Sequence, residues 1–240
     1  MTFRDLNLKK PLWNALDELG YHTPTTIQAN GFKVMMSGAD TIGIAQTGTG
    51  KTLAYLLPCL CMWEFSKDPH PQILIIVPTR ELVTQVVREV EKLTTYMNVV
   101  VGGVYGGANM NTQAVMVLNG LDVLVGTPGR ILDLASSGSL KLKHIKKVVI
   151  DEVDETLSLG FRSQLLNLFE FLPAKRQHMV FSATLSEEVA LFLEDYLVSP
   201  IRVEAARAGS PIDKIHQIGY RAPNFLSKVS LLRHLLKGYE

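Results

Sequence analysis

Thr41-Ile42-Gly43-Ile44-Ala45-Gln46-Thr47-Gly48-Thr49-Gly50-Lys51-Thr52 opens on β-branched residues, passes through a glycine-rich turn and runs into the apolar stretch Leu53–Trp63. It reads as strand, turn and helix. Gly48 and Gly50 admit positive φ, so successive backbone N–H groups can point into one anion-sized concavity. A helix beginning at Lys51 adds the positive end of its dipole. Lys51 can neutralise β- and γ-phosphate charge, and the Thr52 hydroxyl can ligate Mg²⁺. The strict phosphate-loop pattern asks for glycine at its first position, where Ala45 stands. An ordinary Gly/Thr turn with an incidental lysine is the bland alternative. The strand before and the helix after weigh against it.

Outward from this stretch, short apolar runs alternate with segments of helical period. The runs are Thr41–Ala45, Ile73–Val77, Val99–Val104, Asp122–Val125, Val148–Ile150 and Met179–Phe181. Continuous apolar strands without alternation suit a parallel sheet covered on both faces. Helices are expected over Lys51–Phe65, Arg80–Tyr96, Asn111–Asn119, Gly129–Ala135, Ser163–Phe171 and Glu187–Tyr196. Two more precede the first strand, one marked by Leu12, Leu16 and Leu19 and closed by Gly20, the other by Ile27, Val34 and Met35. The expected architecture is an α/β sandwich with right-handed crossovers.

The chain has 240 residues, 47% hydrophobic and 20% charged, which excludes a disordered tail or a disulfide-stapled miniprotein. Lys+Arg is 24 against Asp+Glu 23, so a wholly basic nucleic-acid wrapper is excluded and a local basic groove is not. Cys59 and Cys61 fall on different faces of a helix, which argues against a bridge and for a reducing compartment. The six histidines are scattered and offer no zinc-like spacing, so no structural metal is expected. No secretory signal opens the chain, and Leu53–Trp63 is too short to span a bilayer. A soluble intracellular protein without membrane contact is expected.

Val148-Val149-Ile150 leads directly into Asp151-Glu152-Val153-Asp154. A buried parallel strand delivers such groups to the sheet edge where ligands bind in open α/β folds. Three carboxylates in four residues repel one another unless a cation joins them. A magnesium ion held by nucleotide phosphates, Thr52 and Asp151 supplies one, leaving Glu152 to orient a water for in-line attack on a γ-phosphate. Alone, the cluster also reads as an acidic turn capping the next helix.

With these residues in place, the sequence resembles the N-terminal RecA-like domain of a DEAD-box ATP-dependent RNA helicase over roughly residues 3–205. Phe3, Gly20 and Pro24-Thr25-Thr26-Ile27-Gln28 resemble the Q motif with its upstream aromatic. Ala45–Thr52 resembles motif I, Pro78-Thr79-Arg80-Glu81-Leu82 motif Ia, Gly106-Gly107 the GG motif and Thr127-Pro128-Gly129-Arg130 motif Ib. Asp151–Asp154 resembles motif II and Ser182-Ala183-Thr184 motif III, all in family order. Val153 stands where the family has alanine, and Thr26 where proline is usual.

The resemblance implies a single complete RecA-like domain of the P-loop NTPase class, with ATP and Mg²⁺ as cofactors. It implies a cofactor site of Gln46, Thr47, Gly48, Thr49, Gly50, Lys51 and Thr52, with Gln28 reading adenine and Phe3 or Tyr21 stacking near the base. Thr52 and Asp151 would hold the metal, and Lys51, Asp151, Glu152, Asp154, Ser182 and Thr184 would serve catalysis, the two hydroxyls bonding Asp154. Pro78, Thr79, Arg80, Gly106, Gly107, Thr127, Pro128, Gly129 and Arg130 would form a surface for the RNA backbone. On spacing alone the motifs Ia and Ib are ordinary helix starts.

Residues 1–205 are expected to form the ATP-binding domain, and 206–240 a linker and the start of a second RecA-like domain. Within the latter, EAARAGSPID reads as linker, Ile215–Tyr220 as a strand and Leu226–Leu236 as a helix. The family draws its arginine finger from the second domain, and no matching HRxGR-type motif follows Asp154. By itself the chain is therefore expected to hydrolyse ATP very slowly and not to unwind RNA. A monomer in the cytoplasm is expected, with the nucleus left open. An ATP-gated RNA clamp or scaffold, and a DNA-directed helicase of the same superfamily, stand as alternatives.

Overall fold

The computed structural model describes residues 1–205 and 218–237. Seven strands form one sheet: β1 (Thr41–Ile44), β2 (Ile73–Ile76), β3 (Val101–Val104), β4 (Val123–Gly126), β5 (Lys147–Ile150), β6 (Gln177–Ser182) and β7 (Ile201–Glu204). Their order is β3-β4-β2-β5-β6-β1-β7, and every neighbouring pair is parallel. Parallel neighbours require crossovers. Helices α1 (Lys10–Glu18), α2 (Thr26–Met36), α3 (Lys51–Met62), α4 (Arg80–Leu93), α5 (Met110–Leu118), α6 (Pro128–Ser136), α7 (Val153–Ser158), α8 (Arg162–Glu170) and α9 (Glu187–Tyr196) supply the layers. This is the expected RecA-like sandwich.

Successive strand side chains point to opposite faces, so each central strand feeds two cores. Ile73, Ile75 and Val77 pack with Leu56 and Leu60 of α3 and with Val83, Val86 and Val90 of α4. Leu74 and Ile76 pack on the other side with Ile131 and Leu134 of α6, and with Leu165 and Leu168 of α8. Double coverage is why these strands read as unbroken apolar runs.

Where element ends differ from expectation, a local competitor is visible. Helix α3 stops at Met62, short of Phe65. Trp63 turns extended there, its Nε1–H donating to Asp122 at 3.0 Å and its carbonyl accepting from Lys9 Nζ. Helix α4 stops at Leu93, where the Thr94 hydroxyl donates back to the Val90 carbonyl at 2.8 Å. Besides the short 3-10 turn Phe3–Asp5, two elements were not anticipated. Strand β7 lies at the sheet edge with only Val203 buried, so it has no apolar run to signal it. Helix α7 is six residues long and begins inside the acidic motif.

By its internal contacts the chain divides into Met1–Gly209 and Ser210–Glu240. In the second unit α10 (Phe225–Lys237) contains the expected helix Leu226–Leu236, and none of its residues is buried. Of the strand expected over Ile215–Tyr220, residues 218–220 take no regular structure and the rest lies outside the described residues. The expected linker begins on Glu204, which belongs to β7, and beyond Ala205 it too lies outside them. Among the described residues no helix is long and apolar enough to cross a membrane.

Gly43 shows how closely β1 is fitted: a Cβ there would lie inside contact distance of the Phe181 ring on the neighbouring strand β6. Phe181 is fully buried and cannot swing clear. Gly43→Ala should therefore lower unfolding stability by about 1–3 kcal/mol, read as a shifted denaturant midpoint at constant slope.

Candidate nucleotide and nucleic-acid site

All strands are parallel, so every strand-to-helix loop that follows one opens on the same sheet edge. The turn after β1 takes the form its glycines predict. Gly48 lies at φ +83° and Gly50, the N-cap of α3, at φ +90°. The Ala45 N–H donates to the Ser182 carbonyl, and the Thr49 hydroxyl closes the loop onto the Gln46 carbonyl at 2.6 Å. Lys51 is 94% buried at the first position of α3, and its Nζ has no hydrogen-bond partner. It stands 4.0 Å from Asp151 Oδ1, two strands away across the sheet.

Asp151 directly follows β5 and accepts the Glu152 N–H at 3.0 Å. Burial raises its carboxyl above the usual range, opposed by the Lys51 charge and by Tyr55 and the Glu152 N–H. Glu152 is held in the left-handed region at φ 51°, ψ 51°, a strained conformation of the kind that clusters at functional sites. The Thr156 hydroxyl and N–H both bond its carbonyl, which fixes that conformation as the start of α7. Burial, a hydrogen bond with Glu155 and the Asp151 charge push the Glu152 carboxyl up to about 7. Val153, the departure from the family pattern, is fully buried in the core on the α6–α9 side and displaces no polar group.

Of the two motif III hydroxyls expected at Asp154, one arrives. Thr184 bonds Asp154 Oδ2 through both its N–H at 3.0 Å and its hydroxyl at 2.8 Å. Ser182 does not reach Asp154. It is fully buried on β6, and its hydroxyl donates to the Thr184 carbonyl at 2.5 Å. Buried at the end of the strand, it braces the turn that carries Thr184.

Sequence reading passed over Tyr55. Lying one turn after Lys51 on α3, it shares that helix face. Its hydroxyl is buried without a hydrogen-bond partner, and burial together with the Asp151 charge holds its pKa well above the usual value. The signal was available as an i, i+4 pair with the loop lysine. An ammonium and a phenol, both buried and short of close hydrogen bonds, thus face a buried carboxylate. That donor set suits phosphate oxygens at Lys51 and a hard cation at Thr52 and Asp151.

Beside this centre is a pocket of about 300 Å³ lined by Phe3, Tyr21, Thr25, Gln28, Gly50 and Thr52, among others. Gln28 is buried on α2, not on a helix surface. Its Oε1 accepts the Thr25 N–H at 2.9 Å, and its Nε2 donates to the Gly50 carbonyl at 3.0 Å. Each amide atom keeps one further hydrogen-bonding capacity. A Cβ at Gly50 would strike this amide, so the glycine serves Gln28 as well as the turn. Of the two candidate aromatics, Phe3 is buried and Tyr21 is 42% exposed. Thr26 opens α2 at an exposed first position, where proline is merely an alternative helix start.

Along the same edge, Thr79 caps α4 by accepting the Leu82 N–H, and Pro78 is buried behind it. Arg80 is exposed and stacks 4.8 Å above the Tyr105 ring. Gly106 and Gly107 are exposed, Gly107 at φ +79°. Thr127 and Pro128 are buried at the start of α6, and Gly129 follows half-buried. Arg130 turns inward: its guanidinium donates to the Ala108 carbonyl at 3.0 and 3.1 Å and to Gln113 Oε1 at 2.8 Å. It fixes the glycine loop to α5 and presents little charge to solvent.

The family model described as DEAD/DEAH box helicase matches residues 25–192, from the N-cap of α2 to within α9. This chain belongs to the DEAD/DEAH box helicase family. It is 35% identical over 216 residues to "Eukaryotic initiation factor 4A" of Dictyostelium discoideum, covering 90% of this chain and 53% of that protein. It is 36% identical to "ATP-dependent RNA helicase RhlB" of Shewanella frigidimarina, covering 98% of this chain and 56% of that one. The crystal structure of a DEAD box protein from Methanococcus jannaschii superposes with a TM-score of 0.81 at 31% identity, covering 86% of this chain and 56% of that one. The chain thus spans about half the length of these relatives.

Glu152 gives the site a measurable pH signature. Its folded pKa of about 7 lies above the ordinary 4.5, so the folded state favours the protonated acid. The stability this contributes is complete below pH ~4.5 and lost as pH rises through ~7. In nucleotide-free protein with chelator present, Glu152→Gln should therefore raise the thermal midpoint at pH 8 and leave it nearly unchanged at pH 4.5.

Proposed function

We propose that this chain is the N-terminal RecA-like half of an ATP-dependent RNA helicase, holding ATP with magnesium and the RNA backbone. The observation that carries the reading is the buried Lys51 ammonium, without a hydrogen-bond partner and 4.0 Å from buried Asp151, at the mouth of a glycine-rich turn. Phosphate oxygens beside Lys51 Nζ and the loop N–H groups would satisfy that charge. Thr52 and Asp151 would hold the magnesium, which when bound spreads the negative charge of the phosphates.

Glu152, poised near 7, accepts the proton of an attacking water at neutral pH. Thr184 and Asp154 tie the turn after β6 to the acidic motif, a link between nucleotide and RNA ends of the edge. Gln28, with one donor and one acceptor to spare, suits the amine and ring nitrogen of adenine and mismatches guanine. Tyr21 is the better placed of the two aromatics to stack on a base, because Phe3 is already buried. Arg80, the glycines at 106 and 107, and the helix starts at Thr79 and Thr127 suit phosphates without base readout. Arg130 contributes by holding that loop.

The exposed apolar residues of α10, among them Leu226, Val229, Leu232 and Leu236, call for a covering surface. A second RecA-like domain of the same polypeptide would supply it, in keeping with relatives about twice as long. That domain would also bring the arginine finger, worth about 10³–10⁵ in rate.

Assays on the full-length protein with RNA and with DNA test the reading. RNA-stimulated hydrolysis should prefer ATP to GTP, and Gln28→Ala should erase the preference. Glu152→Gln should keep nucleotide binding while hydrolysis and unwinding fall about 10²–10⁴-fold. Stimulation by DNA equal to that by RNA would favour the DNA-directed alternative. RNA held tightly with ATP but never unwound would favour the clamp.

A further inference from the structure

At the sheet edge opposite the phosphate loop, the segment between α3 and β2 meets the segment between α6 and β5. Asp68, His70 and His144 come together there, one ligand atom of each lying within 4.8 Å of the others. His144 Nδ1 is 3.0 Å from Asp68 Oδ2, and His70 Nε2 is 4.0 Å from Asp68 Oδ1. The two imidazole rings lie 5.2 Å apart between centroids. They border a cavity of about 320 Å³ that also touches Ser66 and Gln72.

The backbone beneath these side chains is pinned. The Pro69 carbonyl accepts from Leu121, the Gln72 N–H donates to Asp122, and the Lys146 N–H donates to the Gln72 carbonyl. Pro69 and Pro71 flank His70 and fix φ on both sides of it. The His70 N–H donates to Asp68 Oδ1 at 3.0 Å, holding aspartate and histidine in one turn. Little backbone freedom remains to be lost when the three side chains converge on a ligand.

We propose that Asp68, His70 and His144 form a binding site for one divalent transition-metal ion, best suited to Zn²⁺ with water as fourth ligand. Two imidazoles and a carboxylate are a zinc-type donor set, whereas Mg²⁺ favours oxygen ligands throughout. Zinc–ligand bonds of about 2.0–2.2 Å put tetrahedral ligand atoms about 3.3–3.6 Å apart. Side-chain rotation of the half-exposed groups closes the present spacing, and the open cavity admits ion and water. Lys143, Lys146 and Lys175 border the same cavity and weaken cation binding, so the site is exchangeable and not a closed structural one. Occupancy would clip the Asp68–His70 turn to the segment before β5 and stabilise the domain by mass action.

The test uses full-length, chelator-treated protein without nucleotide, titrated with Zn²⁺ alone. One ion per chain should bind by equilibrium dialysis. The thermal midpoint should rise by about 5–10 °C at free Zn²⁺ about 100 times Kd. Mg²⁺ should not reproduce the part of the shift that depends on the histidines. The double variant His70→Ala/His144→Ala, with unchanged circular dichroism, should bind that ion at least tenfold more weakly. Asp68→Asn keeps the turn's acceptor and should weaken it similarly, so the test survives misfolding of the double variant. Zinc bound equally by wild type and these variants, or no stoichiometric binding by wild type, overturns the proposal.

Discussion

A lysine and an aspartate, both buried and not quite touching, organise this molecule. Removing an ammonium and a carboxylate from water costs about several kcal/mol each, and a 4.0 Å separation without a hydrogen bond recovers only part of it. Such a pair is a poor way to stabilise a fold and a good way to hold a site ready for phosphate and a cation. The rest of the edge is arranged around that unsatisfied charge. Gly48 and Gly50 turn backbone donors inward, Glu152 is held in a left-handed conformation, and Gln28 bonds the loop from behind. The sheet supplies the free energy that tolerates it, because its central strands bury apolar side chains on both faces.

Parallel pairing does the gathering. Strands β1 and β5 are not neighbours, since β6 lies between them, yet their loops meet because all the strands end on the same side. The same constraint explains the reach of Thr184 to Asp154 from the adjacent strand end. It also sends the opposite loops to the other edge, where Asp68, His70 and His144 meet. One edge thus gathers the buried Lys51 and Asp151, the other two imidazoles and a carboxylate.

Legibility in the sequence followed signal strength. The five central strands were visible because doubly covered strands are unbroken apolar runs, and edge strand β3 showed through its valines, while the other edge strand, β7, was missed because it buries only Val203. Helix ends slipped by a few residues where a side chain competed with the ladder, as at Trp63 and Thr94. Motif residues fell on the expected edge, yet their partners were less predictable. Ser182 turned away from Asp154, Arg130 bonded Ala108 and Gln113, and Tyr55 entered the charged cluster without a motif to announce it.

The alternation of the main strands and helices along the chain, the glycine-rich turn and the acidic motif after β5 were determined by sequence alone, because hydrophobic period and backbone freedom are local properties. Family membership followed from motifs in a fixed order. Only the tertiary structure decided which groups face one another. Lys51 meets Asp151, Gln28 meets Gly50, and His70 meets His144, each across a distance in sequence that local chemistry does not encode. Such meetings depend on strand order and loop direction, which are set when both faces of the sheet are buried together.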